Sequence, residues 1–253
     1  MNGNAQQAGI EARIRQLLRQ FKLPTMAELL VDKMQQTGHD EALQVIGEVL
    51  EAENDDRRQR RVARLRHASK LPAAKTFDNF DTKRLPVDLQ RRIRELRNGD
   101  FLEQARNVLA FGLPGTGKSH FAVALGQELT DKGFAVLFTP TFRLVQELLV
   151  ARRDFELPRA LRKLDRFDLL ILDDIGYVQQ SEEEIEVLFT LLAERYERRS
   201  LLITSNLVFS EWDKIFRNKL TTLAAVDRLV HHSSILEFAV PSYRSPKSGA
   251  PAC

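Results

Sequence analysis

The sequence contains almost no cysteine and no long apolar run. Its only cysteine is Cys253, the last of 253 residues, so neither an intrachain disulfide nor a cysteine-ligated metal site can form. No apolar stretch reaches the roughly 18 residues that a membrane-spanning helix needs. Residues 1–4 are polar, unlike the start of a secretory signal. These absences predict a cytoplasmic protein with no membrane partner.

The sequence also has little excess of either sign of charge, because the formal net charge is only +3. Arginine is nevertheless clustered locally: Arg57, Arg60, Arg61 and Arg64 follow the spacing i, i+3, i+4 and i+7. This spacing places the four side chains on one face of a helix. A basic helical face is typical of proteins that grip the backbone of duplex DNA. The alternative is a solvated face, or one paired with the acidic residues at 51–56.

The most informative motif is Gly-Leu-Pro-Gly-Thr-Gly-Lys-Ser at 112–119, which follows a short apolar run at 107–111. It matches the phosphate-binding pattern G-x-x-x-x-G-K-[ST] between a strand and a helix. In this pattern the lysine, Lys118, contacts the β and γ phosphates, and the hydroxyl of Ser119 ligates Mg²⁺. The predicted cofactors are therefore ATP and Mg²⁺. The predicted nucleotide-binding residues are Gly112, Leu113, Pro114, Gly115, Thr116, Gly117, Lys118, Ser119 and His120, although packing alone would account for His120.

The apolar pattern predicts an α/β fold behind a small helical domain. Residues 10–67 have helical spacing throughout, and Leu71-Pro72 ends the last of these helices. Further along, helices alternate with five apolar strands, at 107–111, 134–138, 168–172, 201–205 and 234–238. Near-continuous apolar strands between helices indicate a five-stranded parallel sheet covered on both faces. We therefore predict a helical domain at 1–70, an ATPase domain at 71–244 and a disordered tail at 245–253.

Three further positions are candidates for the hydrolytic chemistry. The apolar strand at 169–172 ends in Asp173, a predicted Mg²⁺ ligand, and Asp174, which would polarise the attacking water. An ordinary Asp-rich turn is the alternative. Asn206 follows the next strand, where its amide could orient the water or merely form a turn. Arg228 precedes the fifth strand and is predicted to reach the γ-phosphate of a neighbouring subunit, unless it forms a surface ion pair.

Several segments together resemble the IstB family, the ATP-binding helpers of insertion-sequence transposition. They are Leu-Pro-Thr-Met-Ala-Glu-Leu-Leu at 23–30, the loop at 112–119, Leu-Leu-Ile-Leu-Asp-Asp-Ile-Gly-Tyr at 169–177, Glu-Arg-Tyr-Glu-Arg-Arg-Ser at 194–200, Thr-Ser-Asn-Leu-Val-Phe-Ser-Glu-Trp at 204–212, Asp-Arg-Leu-Val-His-His at 227–232 and Pro-Ser-Tyr-Arg at 241–244. The resemblance covers nearly the whole chain. The pair of segments at 205–212 and 227–232 is its most specific part.

The resemblance implies an AAA+ P-loop NTPase core, related to the DnaC helicase loader and the DnaA initiator, that oligomerises on duplex DNA and assists an IstA-type transposase. It also implies ATP sites between subunits, with Lys118 and Ser119 as the nucleotide-loop pair, Asp173 and Asp174 as the second motif, Asn206 as sensor 1 and Arg228 as a finger acting in trans. Two alternatives stay open. One is a DnaC-like helicase loader, and the other is a nucleotide-switched scaffold with little hydrolysis.

Two features depart from most AAA+ proteins. Asp174 stands where many have glutamate, so its carboxylate is one methylene shorter and slow hydrolysis is expected. Only about fifteen residues follow Phe238, too few for the C-terminal helical lid that most AAA+ proteins carry. The resemblance therefore implies a core without that lid, and a neighbouring subunit would have to cover the nucleotide.

Overall fold

The structure, a computed structural model, describes residues 2–175, 181–207, 229 and 232–243. The chain forms two compact units, Met1–Ala63 and Arg64–Cys253. The division falls within a helix, a few residues before the boundary that the sequence predicts at residue 70. The predicted tail at 245–253 lies outside the described residues. Among the described residues, no helix is long and apolar enough to cross a membrane.

The first unit is helical, as the sequence predicts. It contains α1 (Asn2–Gln20), α2 (Pro24–Gln36) and the larger part of α3 (Ala42–Ser69). Proline suits the first position of α2, since its missing N–H would have no partner there. The helices share an apolar core of Ile14, Leu18, Ala27, Val31 and Leu43. This core accounts for the helical spacing of the apolar residues in this part of the sequence.

The second unit is an α/β layer structure. Its elements are a 3₁₀ turn (Thr82–Arg84), α4 (Val87–Arg97), α5 (Asp100–Glu103), β1 (Asn107–Phe111), α6 (Lys118–Asp131), β2 (Val136–Pro140), α7 (Thr141–Arg153), α8 (Leu157–Leu164), β3 (Leu169–Asp173), α9 (Glu182–Arg195), β4 (Ser200–Ser205) and β5 (Ser233–Glu237). The sheet order is β2-β3-β4-β1-β5, and every pair is parallel. The predicted five-stranded parallel sheet is confirmed.

Both faces of the sheet are buried, because successive strand residues point to opposite sides. Val108, Ala110 and Ile171 pack in one apolar layer with α4 and α6. Leu109 and Leu172 pack in the other layer with α7, α8 and α9. The near-continuous apolar strands of the sequence follow from this two-sided burial.

The second strand begins two residues later than the sequence pattern suggests, at Val136 rather than at 134. Gly133 has a φ of 95° just after the end of α6. The N–H of Phe134 donates back to Leu129 O at 3.1 Å. The N–H of Ala135 is bound by a carboxylate oxygen of Asp168 at 2.9 Å. These contacts hold the apolar residues at 134 and 135 in the helix-to-strand turn.

A buried arginine fixes α9 and β4 to the rest of the sheet layer. Arg195 is 1% exposed, and its guanidinium donates to Leu164 O at 2.9 Å, Phe167 O at 2.9 Å and Ser200 O at 3.0 Å. Burial lowers the pKa of Arg195 to about 10, so the side chain remains charged at neutral pH. One cation thereby holds three backbone carbonyls, two in the segment 164–167 at the end of α8 and one at Ser200, the first residue of β4.

Candidate functional site

The loop after β1 has the backbone of a phosphate-binding loop. Gly112, Gly115 and Gly117 have φ values of 150°, 82° and 102°, in the region that favours glycine. A Cβ on Gly112 would lie 2.7 Å from Phe238 O, so no side chain fits there. The loop runs directly into the N-terminus of α6, whose free N–H groups and dipole favour an anion.

Lys118, the first residue of α6, is held at the centre of the site. It is 6% exposed, and its ammonium donates to Gly112 O at 2.7 Å and to Leu113 O at 2.9 Å. It also donates to the side-chain oxygen of Asn206, Oδ1, at 2.8 Å. The loop and the end of β4 are thus joined through one cation.

The two carboxylates after β3 are oriented by a single hydroxyl on β4. Thr204 Oγ1 donates to Asp173 Oδ1 at 2.7 Å and accepts from the N–H of Asp174 at 2.8 Å. Asp174 itself has a φ of 60°, a left-handed conformation that is uncommon for residues other than glycine. This turn directs its carboxylate to Asn206, whose Nδ2 donates to Asp174 Oδ1 at 3.1 Å.

Asn206 therefore bridges the cation and the carboxylate with the two ends of one amide. Burial and the nearby Asp173 raise the pKa of Asp174, while the Lys118 ammonium and the Asn206 hydrogen bond act in the opposite direction. A carboxylate with a raised pKa is a better proton acceptor than an ordinary aspartate. The arrangement suits a group that takes a proton from water.

A cavity of about 630 Å³ opens beside these residues, within the range of a site for one small ligand. Gly115, Gly117, Lys118, Asp174 and Asn206 line it, together with Pro114, Ser119 and His120. The structure thus brings together most of the residues that the sequence predicts for nucleotide binding and catalysis. Leu113 is 71% exposed and Thr116 is buried; neither lines the cavity. Arg228 lies outside the described residues.

A second wall of the cavity was not predicted from the sequence. It is formed by the strap, which we define as residues 71–84, between α3 and α4, and by Tyr243, which follows β5. The strap residues that line the cavity are Lys75, Asn79, Phe80, Asp81 and Arg84. The strap carries no recognised motif. Tyr243 lies in the segment at 241–244 that contributes to the family resemblance, but the resemblance gave it no role.

The oxygen ligands present fit Mg²⁺. Among the described residues no cluster of three His, Cys, Asp or Glu side chains could hold a metal ion. Mg²⁺ does not need such a cluster, because it commonly binds one or two protein oxygens together with phosphates and waters. The Ser119 hydroxyl lines the cavity, and the Asp173 carboxylate at the end of β3 accepts from Thr204. Both are oxygen groups of the kind that Mg²⁺ binds, and their role as its ligands stays a prediction.

The four arginines predicted to bind DNA all lie on α3. Two of them make ion pairs one turn back along the helix: Arg57 with Glu53, and Arg60 with Asp56 at 2.6 Å. The Arg57 guanidinium also lies 4.2 Å from the centre of the Phe21 ring. The side chains of the two paired arginines are still 51% and 71% exposed. Exposed pairs of this kind contribute only about 0–1 kcal/mol, so phosphates can compete for these cations.

Comparisons with known proteins identify relatives along the whole chain. The family described as IstB-like ATP binding protein matches residues 16–250. An insertion-sequence ATP-binding protein of Sinorhizobium fredii is 44% identical over 237 residues, which are 92% of this chain and 80% of that protein. The ATP-binding protein of insertion sequence IS5376 of Geobacillus stearothermophilus is 34% identical over 237 residues, 93% of this chain and 94% of that protein.

The fold is shared more widely. The crystal structure of the DnaC helicase loader matches with a TM-score of 0.54 at 20% identity, over 65% of this chain and 97% of that chain. This similarity shows that the two proteins share the α/β fold.

Replacing Thr204 by valine tests whether its hydroxyl organises the two carboxylates. Valine has nearly the same shape but leaves the Asp174 N–H without its acceptor, so we expect the free energy of unfolding to fall by about 1–3 kcal/mol. Urea denaturation measures the change. Thr190→Val is the matched control, because that hydroxyl only donates to Glu186 O on an exposed helix turn. Equal effects of the two substitutions would contradict the role of Thr204.

Proposed function

Because the chain belongs to the family of IstB-like ATP-binding proteins of insertion sequences, we propose that it is a DNA-binding AAA+ ATPase. In this proposal it binds Mg-ATP, oligomerises on duplex DNA and assists a partner transposase of the IstA type in target selection. The observation that carries the proposal is the hydrogen-bonded chain from Lys118 through Asn206 to Asp174.

ATP binding is supported by the charges around the cavity. The Lys118 ammonium lines it together with the N-terminal end of α6, an arrangement that favours phosphates. Mg²⁺ would sit at the Ser119 hydroxyl and the Asp173 carboxylate, where it would neutralise phosphate charge. The loop and Lys118 then hold the phosphates, and Asp173 is kept in orientation by Thr204.

Hydrolysis is supported by the position of Asp174. Its carboxylate has a raised pKa and is held by Asn206, next to the residue that contacts phosphate. A base in this place can accept a proton from a water that attacks the terminal phosphate, which typically contributes about 10²–10⁴ in rate. The side chain of Asn206 keeps Asp174 turned toward the cavity.

Single substitutions of Lys118 and Asp174 should have different effects, the first on ATP binding and the second on ATP hydrolysis. Lys118→Ala deletes the cation that contacts phosphate, so ATP affinity should fall about tenfold or more. Asp174→Asn keeps the shape, so it should bind ATP nearly as well as wild type while turnover slows by about a hundredfold or more. Calorimetric titration and steady-state phosphate release, with and without duplex DNA, measure the two effects.

Asp165→Asn is a matched control for this pair, because Asp165 forms an exposed ion pair with Arg198. Only the ionised carboxylate can accept a proton, and the pKa of Asp174 is raised. As the pH is lowered, the rate of ATP hydrolysis should therefore begin to fall at a pH above the usual pKa range of an aspartate. Wild-type turnover in Asp174→Asn would refute the assignment of the base. ATP binding without turnover in the wild type, even with DNA, would favour the nucleotide-switched scaffold.

DNA binding is supported by two cationic surfaces. The first is the face of α3 with Arg57, Arg60, Arg61 and Arg64. The second, which we call the α7–α8 surface, consists of the exposed residues Arg153, Phe155, Arg159, Arg162 and Lys163. The Phe155 side chain is 93% exposed, and an exposed aromatic ring among cations is typical of nucleic-acid binding. Arg153, Arg162 and Lys163 form no ion pair within the described part of the chain.

Alanine substitution of each set of four cations distinguishes these surfaces. Each phosphate contact that is lost should reduce the slope of log K against log salt by about 0.9 on duplex DNA, whatever the sequence. We expect the α3 variant (Arg57, Arg60, Arg61 and Arg64) to bind duplex DNA more weakly with a flatter slope and unchanged ATP affinity. The α7–α8 variant (Arg153, Arg159, Arg162 and Lys163) is the comparison. An unchanged slope in the α3 variant and a flatter one in the α7–α8 variant would move the contact to the ATPase unit.

ATP sites between subunits are proposed from the resemblance at Arg228. A finger donated by a neighbour contributes about 10³–10⁵ in rate in related phosphoryl-transfer enzymes. Arg228→Ala and Lys118→Ala should therefore each be inactive alone and regain part of the activity when mixed, because a mixed oligomer contains intact composite sites. Phosphate release from preassembled mixtures measures this. No recovery in stably mixed oligomers would mean that Arg228 acts within its own subunit or only in folding.

The partner distinguishes the helper from a helicase loader. The fold similarity to DnaC keeps the loader as the second candidate. Co-purification of the full chain with an IstA-type transposase, compared with a replicative helicase, separates the two. Retention of the helicase alone would favour the loader.

A further inference from the structure

The strap has little structure of its own. Apart from the 3₁₀ turn at Thr82–Arg84, residues 71–84 form neither helix nor strand. Backbone ladders therefore do not fix its position, which depends on contacts made by side chains. Two contacts near its start join it to α6: Gln127 Nε2 donates to Pro72 O at 2.6 Å, and Leu71 packs against Gly126, where a Cβ would lie 3.0 Å from a Leu71 methyl carbon.

His120, two residues after Lys118, contacts the strap beside the cavity. Its Nε2 lies 3.0 Å from Thr76 O and 2.9 Å from Asn79 Oδ1. A backbone carbonyl can only accept. The Asn79 amide is oriented as well, because its oxygen accepts from the N–H of Thr76 at 2.9 Å and its Nδ2 donates to Ala74 O at 2.7 Å. Nε2 therefore carries the hydrogen and donates to the strap, and the two aromatic rings of His120 and Phe80 lie 5.1 Å apart.

Tyr243 makes the second contact, from the other end of the chain. Its N–H donates to Gly115 O in the phosphate loop at 2.9 Å, and its hydroxyl donates to Asp81 O in the strap at 3.0 Å. The Arg84 guanidinium lies 4.2 Å from the centre of its ring. Burial raises the pKa of the Tyr243 hydroxyl, so it remains a donor at neutral pH. One residue thus ties the loop to the strap.

Both aromatic rings of this wall reach the phosphate loop itself. A Cβ on Gly117 would lie 3.2 Å from a Phe80 ring carbon and 3.5 Å from a Tyr243 ring carbon. The strap therefore lies directly beside the phosphate loop. The exposed Tyr243 ring, together with the polar groups of Asn79 and Asp81, suits a base and a sugar.

We propose that His120 and Tyr243 are positioning residues that fasten the strap to the phosphate loop, so that the strap binds the nucleoside part of the ligand while the loop binds its phosphates. This inference rests on the proposed ATP-binding function. It gives His120 a role other than contact with the nucleotide, although it stands within the nucleotide-binding motif. Loosening the strap should weaken binding of the nucleoside and leave binding of the phosphates intact.

Comparing two ligands tests this directly. ATP and inorganic tripolyphosphate, each with Mg²⁺, are titrated into the full chain by calorimetry. His120→Phe keeps an aromatic ring beside Phe80 but removes the donor, so ATP affinity should fall about tenfold, the loss expected for one to two hydrogen bonds. Affinity for tripolyphosphate should be unchanged. His120→Gln places an amide N–H near the same acceptors and should recover most of the lost ATP affinity.

Tyr243→Phe removes only the hydroxyl that binds Asp81 O and should cause a smaller loss of the same kind, which keeps the test valid if His120→Phe does not fold. His39→Phe, an exposed histidine in the first unit, is the control. Equal losses for both ligands, or no loss for ATP in either variant, would overturn the positioning role. Failure of the proposed function looks different: the wild type would bind neither ligand, or Lys118→Ala would weaken neither.

Discussion

The parallel pairing of β1, β3 and β4 is the constraint on which the rest of the site depends. The three strands run in one direction with a fixed register, so their carboxyl ends stop at one edge of the sheet. The phosphate loop leaves β1 there, Asp173 and Asp174 follow β3, and Asn206 follows β4. A slip of one residue would move each side chain of a strand to the opposite layer, so the packing of the two layers also fixes the geometry of the site.

The Lys118 ammonium connects the phosphate loop to Asp174, the carboxylate that we propose as the base. An ammonium has three N–H groups, and those of Lys118 have acceptors at Gly112, Leu113 and Asn206. A phosphate oxygen that binds Lys118 must share or replace one of them. Of these three acceptors, two are backbone carbonyls and only Asn206 is a side chain, and its other end holds Asp174. If a phosphate oxygen replaced Asn206 at Lys118, the Asn206 amide would also change its hydrogen bond to Asp174.

The phosphate loop, the carboxylates and Asn206 were predictable from the sequence because each is a short motif beside an apolar strand. The five-stranded sheet followed from the same pattern. The bounds of β3, β4 and β5 differ from the predicted ones by one residue, and those of β2 differ by two because of the turn at Gly133. The strap was not predictable. Its contacts join His120 to Thr76 and Asn79, and Tyr243 to Asp81, across separations that no periodic pattern records. The ion pairs of Arg57 and Arg60 were among the alternatives that the acidic residues upstream suggested.

The most direct measurement is an experimental structure of the full chain with Mg²⁺, a non-hydrolysable ATP analogue and duplex DNA. The account predicts the terminal phosphate in contact with Lys118, Mg²⁺ at Ser119 and Asp173, and the base against the strap near Phe80 and Tyr243. A nucleotide bound elsewhere, or phosphates that bypass Lys118, would contradict it.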